Sequence, residues 1–405
     1  AMRLLHTSDW HLGQALREWD RAEEHDAFLR WLEDRVEEHA ADALLIAGDV
    51  FDHANPPASA QAAWFNFLAR VARRRPGLAV VVIAGNHDSP ARLEAPSALL
   101  AGLGVHVVGS LPMLGGEVDL GRVVVPVGPP SRRVKVLAVP FLRPFDLRPR
   151  PGESPDAALV RLYTETVGRV RSQGDEPLVV MGHLYAAHGE PSELSERRIL
   201  GGDLHAVSAA AFPEDVAYVA LGHLHLAQRV AGRERVRYAG SPLPLSTAEG
   251  HYRHQVLRVD IDGPAAATVT PLFVPRTVPF LRVPERGALP VEAALEALAA
   301  LPAAEGPESR WPFVELHVVL TQPEPGLPRR IDAALAGRGV RLTRVVRARG
   351  GDGAPLVAAP REALQELDPV GVFEQLHQRE HGAPAAPALR RAFEELLATT
   401  VGADP

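Results

Sequence analysis

Five apolar runs in this chain each end in a turn that carries a metal-ligand side chain, and this recurrence constrains the fold more than any other feature. The turns read Ser8-Asp9-Trp10-His11, Gly48-Asp49-Val50-Phe51-Asp52, Gly85-Asn86-His87-Asp88, Gly182-His183 and Gly222-His223-Leu224-His225. The runs before them are expected to be strands at residues 3–6, 43–47, 78–84, 177–181 and 216–221. Open α/β sheets place their sites beyond the carboxyl ends of their strands, so the five turns should converge on one edge of the molecule. A lone Gly-His or Gly-Asp after a strand is an ordinary turn or helix cap. Turn chemistry does not explain why His, Asp and Asn follow strand after strand.

Between these strands the apolar spacing predicts helices. One covers residues 21–39, with Phe28, Leu29, Leu32 and Val36 as a core-facing stripe. Another covers residues 59–74, where Trp64, Phe65, Phe67, Leu68 and Val71 spread over more than one face and require cover on two sides. The second cover is either another layer of the same domain or a subunit interface joined by Leu99, Leu100 and Leu103. The expected class over residues 2–270 is therefore layered α/β.

Composition shifts near Pro271, and Pro275, Pro279, Pro284 and Pro290 punctuate the join. A small α+β domain is expected over residues 271–350, as strand 280–283, helix 291–301, strand 313–320, helix 329–335 and strand 340–346. Gly350-Gly351-Asp352-Gly353 then opens a linker and a helical tail, residues 351–405. Its two short helices present Val372, Phe373 and Leu376, and Leu389, Phe393, Leu396 and Leu397, separated by a Pro/Ala linker at 382–387. They either dock on a partner or pack back on the second domain.

The chain has no cysteine, so any metal site must use His, Asp, Glu and Asn. No apolar stretch reaches the roughly 18 residues a bilayer needs, and Met2-Arg3-Leu4-Leu5-His6 lacks the form of a secretory signal, so a cytoplasmic location is expected. The formal charge of −7 speaks against a uniformly basic nucleic-acid coat.

The candidate ligands are Asp9, His11, Asp49, Asn86, His183, His223 and His225. If Asp49 bridges, each of two ions receives four protein ligands, with room left for water and substrate. Oxygen and imidazole ligation without sulfur suits Mn²⁺ or Fe²⁺, with Zn²⁺ an option. Two divalent ions bring four positive charges against the carboxylates of Asp9 and Asp49, which makes the pocket a phosphate site despite the acidic chain. His87 completes neither shell and is the candidate to contact the scissile phosphate and protonate the leaving oxygen, with Asp88 orienting it. Spacing alone leaves open that His87 is the ligand and Asn86 is not. His53 and His188 lie near the turns in sequence, whereas His25, His39, His106, His251, His317 and His377 fall outside this grammar.

In their order, these motifs resemble the calcineurin-like metallophosphoesterase superfamily over about the first 260 residues, which implies a layered β-sandwich core flanked by helices over residues 2–270. Within it, His6-Thr7-Ser8-Asp9-Trp10-His11-Leu12-Gly13, Gly48-Asp49-Val50-Phe51-Asp52 and Gly240-Ser241-Pro242 are similar to the nuclease-subunit family of bacterial SbcCD-type complexes, as is Ser195-Glu196-Arg197-Arg198. The resemblance implies a Mn²⁺-dependent DNA exonuclease at duplex ends and endonuclease at hairpins or blocked ends, serving DNA repair. It also implies a homodimer within a heterotetramer, a capping domain that binds DNA, and a helical tail, here around Phe373 and Phe393, that binds an SbcC-type coiled-coil ATPase. No Gly-x-x-x-x-Gly-Lys-Ser/Thr run is present, so nucleotide dependence would come from that partner. A protein phosphatase or small-molecule phosphodiesterase would share the metal cage, but phosphatases of the superfamily tend to carry Asp-Arg-Gly after the second motif and Glu at the position of Asp88. A non-catalytic scaffold with a decayed site fits poorly with a complete ligand set.

Overall fold

The computed structural model describes residues 1–143, 145–186, 211–264, 266–322 and 324–349, with single positions at 373, 377, 378, 386, 389, 390 and 393. The longer elements run β1 (Met2–Thr7), α1 (Ala22–Glu38), β2 (Ala43–Ala47), α2 (Ala58–Arg74), β3 (Ala79–Ile83) and β4 (Val105–Val108). They continue as β5 (Val124–Val127), β6 (Val134–Ala138), α3 (Pro155–Arg171), β7 (Leu178–His183), β8 (Tyr218–Gly222), β9 (Gln228–Val230) and β10 (Arg233–Tyr238). The hairpin β11 (Gln255–Gly263) and β12 (Ala266–Phe273) follows, and then β13 (Phe280–Val283), α4 (Val291–Ala299), β14 (Phe313–Leu320), α5 (Leu327–Leu335) and β15 (Arg341–Arg349).

Two six-stranded sheets form the larger part, in the orders β12-β11-β1-β2-β3-β4 and β9-β10-β8-β7-β6-β5. Strands β1 to β4 are parallel in sequence order, and so are β6, β7, β8 and β10. Parallel strands covered on both faces read as unbroken apolar runs, because alternate side chains enter different cores. Ala43, Leu45 and Ala47 of β2 enter the core between the sheets with Leu4, Val81, Val179, Val219 and Leu257. Leu44 and Ile46 enter a second core, where Phe28 and Leu32 of α1 and Trp64 and Phe67 of α2 cover the first sheet. Leu159, Tyr163 and Val167 of α3 join the first core.

Helix α2 buries Trp64, Phe67, Leu68 and Val71, and Leu100 is buried near it, so the helix layer supplies most of the cover that its apolar spread requires. Phe65, Leu99 and Leu103 are left exposed. The remaining unit is a smaller parallel sheet centred on β14, which pairs with β13 and β15. Its core gathers Val314, Leu316 and Val318 with Leu298 of α4 and Ile331 of α5.

The two units meet around buried Arg21. Its guanidinium grips Glu24 through two hydrogen bonds of 2.8 and 2.9 Å, donates to the carbonyl of Pro244 at 2.6 Å, and lies over the Phe313 ring, 5.8 Å from its centroid. Arg341 covers the same ring at 3.9 Å. Trp19 donates to the carbonyl of Leu342 at 3.1 Å, and Arg310 pairs with Glu23 at 2.6 Å. In the tail, Phe373 and Phe393 stack with centroids 4.4 Å apart and Leu389 is exposed. Val372, Leu376, Leu396 and Leu397, together with His188 and the run 195–198, lie outside the described residues.

Candidate metal centre

The turns after β1 and β2 are zipped together by backbone hydrogen bonds. Asp9 donates to Gly48, His11 to Asp49 and Leu12 to Val50, at 3.0, 3.1 and 2.9 Å. This pairing forces Asp9, His11 and Asp49 into the left-handed region, with φ of 54°, 47° and 50°. Non-glycine residues in that region are uncommon and cluster at functional sites. Trp10 anchors the first turn, since its buried ring meets Phe28, Trp64 and Phe67 edge-on at 5.3–5.7 Å, and its Nε1 donates to Thr7 Oγ1 at 2.9 Å.

Glycine precedes the ligands because the turns crowd one another. Gly48 sits at φ +91°, and a Cβ there would strike the His183 ring. At Gly222 a Cβ would strike the carbonyl oxygen of Ala47.

All seven candidate ligands converge. The Nε2 atoms of His11 and His183 lie 3.6 and 3.4 Å from Asp49 Oδ2. Asn86 Oδ1 lies 3.0 Å from both His183 Nε2 and His223 Nδ1. Asp9, His11 and His225 place ligand atoms within 4.8 Å of one another, as do Asp9, Asp49 and His183. Six of the seven are buried, and half-buried Asn86 and His87 mark the open side.

The charges suit a cation. Burial pushes the Asp49 carboxyl up, but the imidazoles of His183, His87 and His11 outweigh it and hold Asp49 well below the usual carboxylate range. Burial raises Asp9. Burial acts downward on His183, yet Asp49 lifts it to about 9, whereas burial takes His223 down to about 3. The Nε2 of His11 is buried without a hydrogen-bond partner, and a divalent ion at this point would satisfy it. The donor set of carboxylate, amide oxygen and imidazole therefore fits hard or borderline divalent metals.

His87 lies beside this cluster, its ring centroid 4.7 Å from that of His11 and its Nδ1 2.8 Å from the carbonyl oxygen of Asp52. The carboxylate of Asp88, the residue expected to orient His87, accepts from the backbone of Gly85, Phe51 and Val50 at 2.9, 3.0 and 3.1 Å and so ties two ligand turns together. A carboxylate buried this deeply takes the donors in reach, and here those are peptide N–H groups. Burial, with Asp49 nearby, raises it to about 6.

Two carboxylates escaped the sequence reading. Asp52 Oδ1 lies 2.9 Å from His11 Nδ1, and Glu249 Oε1 lies 2.9 Å from His225 Nδ1. Asp52 sits inside one of the ligand turns and could have been found there, whereas Glu249 lies in a polar segment with no signal. His53 is exposed, its Nε2 3.0 Å from Asp52 Oδ2. His25, His39, His106, His251, His317 and His377 take no part in the ligand cluster.

Residues 2–227 match the family model described as Calcineurin-like phosphoesterase, and residues 276–381 match the one described as Type 5 capsule protein repressor C-terminal domain. The SbcD subunit of nuclease SbcCD from Rhodobacter capsulatus is 42% identical over 385 residues, 92% of this chain and 93% of that protein. The protein of the same name from Escherichia coli K12 is 33% identical over 422 aligned residues, 99% of both chains. That of Bacillus subtilis is 36% identical over 271 residues, 64% of this chain and 66% of its own length. Among the described residues no helix is long and apolar enough to cross a membrane. A calcineurin-like fold, a clustered His/Asp site suited to divalent metal and end-to-end similarity to named nucleases lead to one conclusion: the chain belongs to the SbcD family of SbcCD nuclease subunits and is a metal-dependent nuclease.

Proposed function

We propose that Asp9, His11, Asp49 and His225 hold one divalent ion, that Asp49, Asn86, His183 and His223 hold a second, and that both are Mn²⁺ in the working enzyme. The observation that carries this reading is the convergence of seven donors from five separate turns, with the buried Nε2 of His11 facing Asp49. Bound divalent ions supply Lewis acidity at phosphorus and lower the pKa of water.

The chain's own residues do the rest. Asp49, held well below the usual carboxylate range by the imidazoles around it, lies between His11 of one half of the site and His183 of the other. His87, half-buried at the open side and braced by the Asp52 carbonyl, is placed to touch the scissile phosphate and give a proton to the leaving oxygen. Asp88 stiffens the loop that carries it.

The substrate we propose is DNA, cut as an exonuclease at duplex ends and as an endonuclease at hairpins or blocked ends, in the cytoplasm and in the service of DNA repair. The names of the relatives support a nuclease that is one subunit of a complex, and the partner we propose for this chain is an SbcC-type coiled-coil ATPase. We assign residues 2–270 to the nuclease domain, 271–350 to a capping domain that binds DNA, and 351–405 to a linker and partner-binding tail, in a homodimer within a heterotetramer. The exposed Phe65, Leu99 and Leu103 offer the apolar face such a dimer needs.

The test compares Mn²⁺-dependent cleavage of linear duplex and hairpin DNA with hydrolysis of p-nitrophenyl phosphate. DNA cleavage lost to chelation and restored by Mn²⁺ is the expected result. Hydrolysis of the monoester alone, with DNA left intact, would move the chain to the phosphatase reading.

A further inference from the structure

The two proposed metal positions are braced differently. At the first, both imidazoles are backed by carboxylates. His11 sets its Nδ1 2.9 Å from Asp52, and His225 sets its Nδ1 2.9 Å from Glu249. At the second, His183 sets its Nδ1 2.8 Å from the neutral carbonyl oxygen of Ala47, and His223, whose Nδ1 faces its fellow ligand Asn86, has no carboxylate backing its outer nitrogen among the described residues. An imidazole that donates its far N–H to a carboxylate is fixed in tautomer and orientation and becomes a more basic ligand than one that donates to an amide carbonyl.

The braces are themselves anchored. The other oxygen of Glu249, which is fully buried, accepts from the backbone of Leu245 at 2.7 Å. The loop is pinned there by Gln14, which donates to the carbonyl of Leu245 at 2.7 Å, and by Arg21 at Pro244. Asp52 lies on the turn that supplies Asp49, and its second oxygen is 3.0 Å from His53.

We infer that Asp52 and Glu249 are positioning residues that clamp His11 and His225, so that the position completed by Asp9 holds its ion more tightly than the position completed by Asn86. The inference rests on the two-ion reading given above. Neither carboxylate belongs to the seven-ligand set, and each acts through the imidazole it holds.

The experiment is Mn²⁺ titration of the full-length chain, followed by calorimetry and by the electron paramagnetic resonance signal of free Mn²⁺, with no DNA present. Wild type is expected to bind two ions per chain in two affinity classes. Asp52→Asn and Glu249→Gln should each weaken the tighter class by about 10- to 100-fold, the usual cost of losing an outer-shell partner, and leave the weaker class within about twofold. Glu249→Asp, which keeps the charge but withdraws it, should lie between wild type and Glu249→Gln.

A thermal melt of each apoprotein reads the bland alternative, because a residue that merely supports the fold lowers the melting temperature and weakens both classes together. That pattern, or an unchanged tight class in a folded variant, overturns the inference. Should Glu249→Gln not fold, Asp52→Asn decides, since Asp52 lies at the edge of the site and its carbonyl contact to His87 survives the substitution. If wild type binds no Mn²⁺ at all, it is the metal-centre reading that fails.

Discussion

The sandwich and the smaller sheet use the same parallel pairing but tolerate backbone strain differently. Strand β2 is buried at every residue, whereas β14 alternates buried and half-buried positions along most of its length. Asp9, His11, Asp49 and His223 all hold positive φ, yet no non-glycine residue described between 275 and 349 does. Two-sided burial over-determines a turn and can hold it in a costly conformation, while a sheet packed mainly on one face leaves its turns to relax. The ligand turns belong to the first kind of structure.

The largest effect should come from adding one methyl at the crowded edge. Gly222→Ala would drive a Cβ into the Ala47 carbonyl and the His183 ring. It is expected to cost on the order of 4 kcal/mol of stability and to abolish metal binding, read by urea unfolding and by Mn²⁺ titration. If the variant keeps wild-type stability and affinity, the close packing of the turns is not what holds the site.

His87→Ala comes next. Cleavage should fall about 10²-fold or more while both Mn²⁺ affinities stay put. Unchanged turnover would remove His87 from the chemistry, and loss of an ion would make it a ligand.

Acid should then separate the two units. Burial takes His6 and His25 of the larger unit down to about 3, so both stay neutral in the fold while the unfolded chain takes up protons below its ordinary value of 6.5. Stability therefore falls as pH drops from 6.5 toward 3, by about 1.4 kcal/mol per pH unit for each such group at most. Comparing urea midpoints at pH 7 and pH 5 checks this, and His6→Gln should flatten the slope. An unaltered slope would show that His6 contributes nothing to it.

The smallest effect is expected in the other unit. At Gly306, at φ +66°, a Cβ would meet nothing within 4 Å, so Gly306→Ala should cost only about 1 kcal/mol, the strain of a left-handed alanine. A loss as large as that of Gly222→Ala would erase the contrast between the units.

The pattern of apolar runs was enough to locate the strands that end in ligand turns. Expected bounds of 43–47 and 78–84 meet observed strands Ala43–Ala47 and Ala79–Ile83. The strands β5, β6 and β10 end in no candidate metal ligand, so nothing in the ligand grammar pointed to them. The α+β unit was readable because Val314, Leu316 and Val318 alternate and Leu298 falls at helical spacing in its neighbour.

Within the site, residue type and turn position were legible, and hydrogen-bond partners were not. Asp88 adjoins His87 in sequence yet faces the peptide groups of another turn, and Glu249 reaches His225 from 24 residues away. Such partnerships depend on how separate turns cross in space, which no local pattern encodes.

Arg21 makes the joint between the units behave as a latch. Its guanidinium has two carboxylate oxygens, a loop carbonyl and an aromatic ring arranged around it, with water kept out. Swinging the smaller unit away would carry off the ring and uncover a charge whose remaining partners belong to the larger unit. Moving that unit therefore leaves the Arg21 charge to be met by solvent or by a substitute ring, besides breaking the contacts of Trp19 with Leu342 and of Glu23 with Arg310.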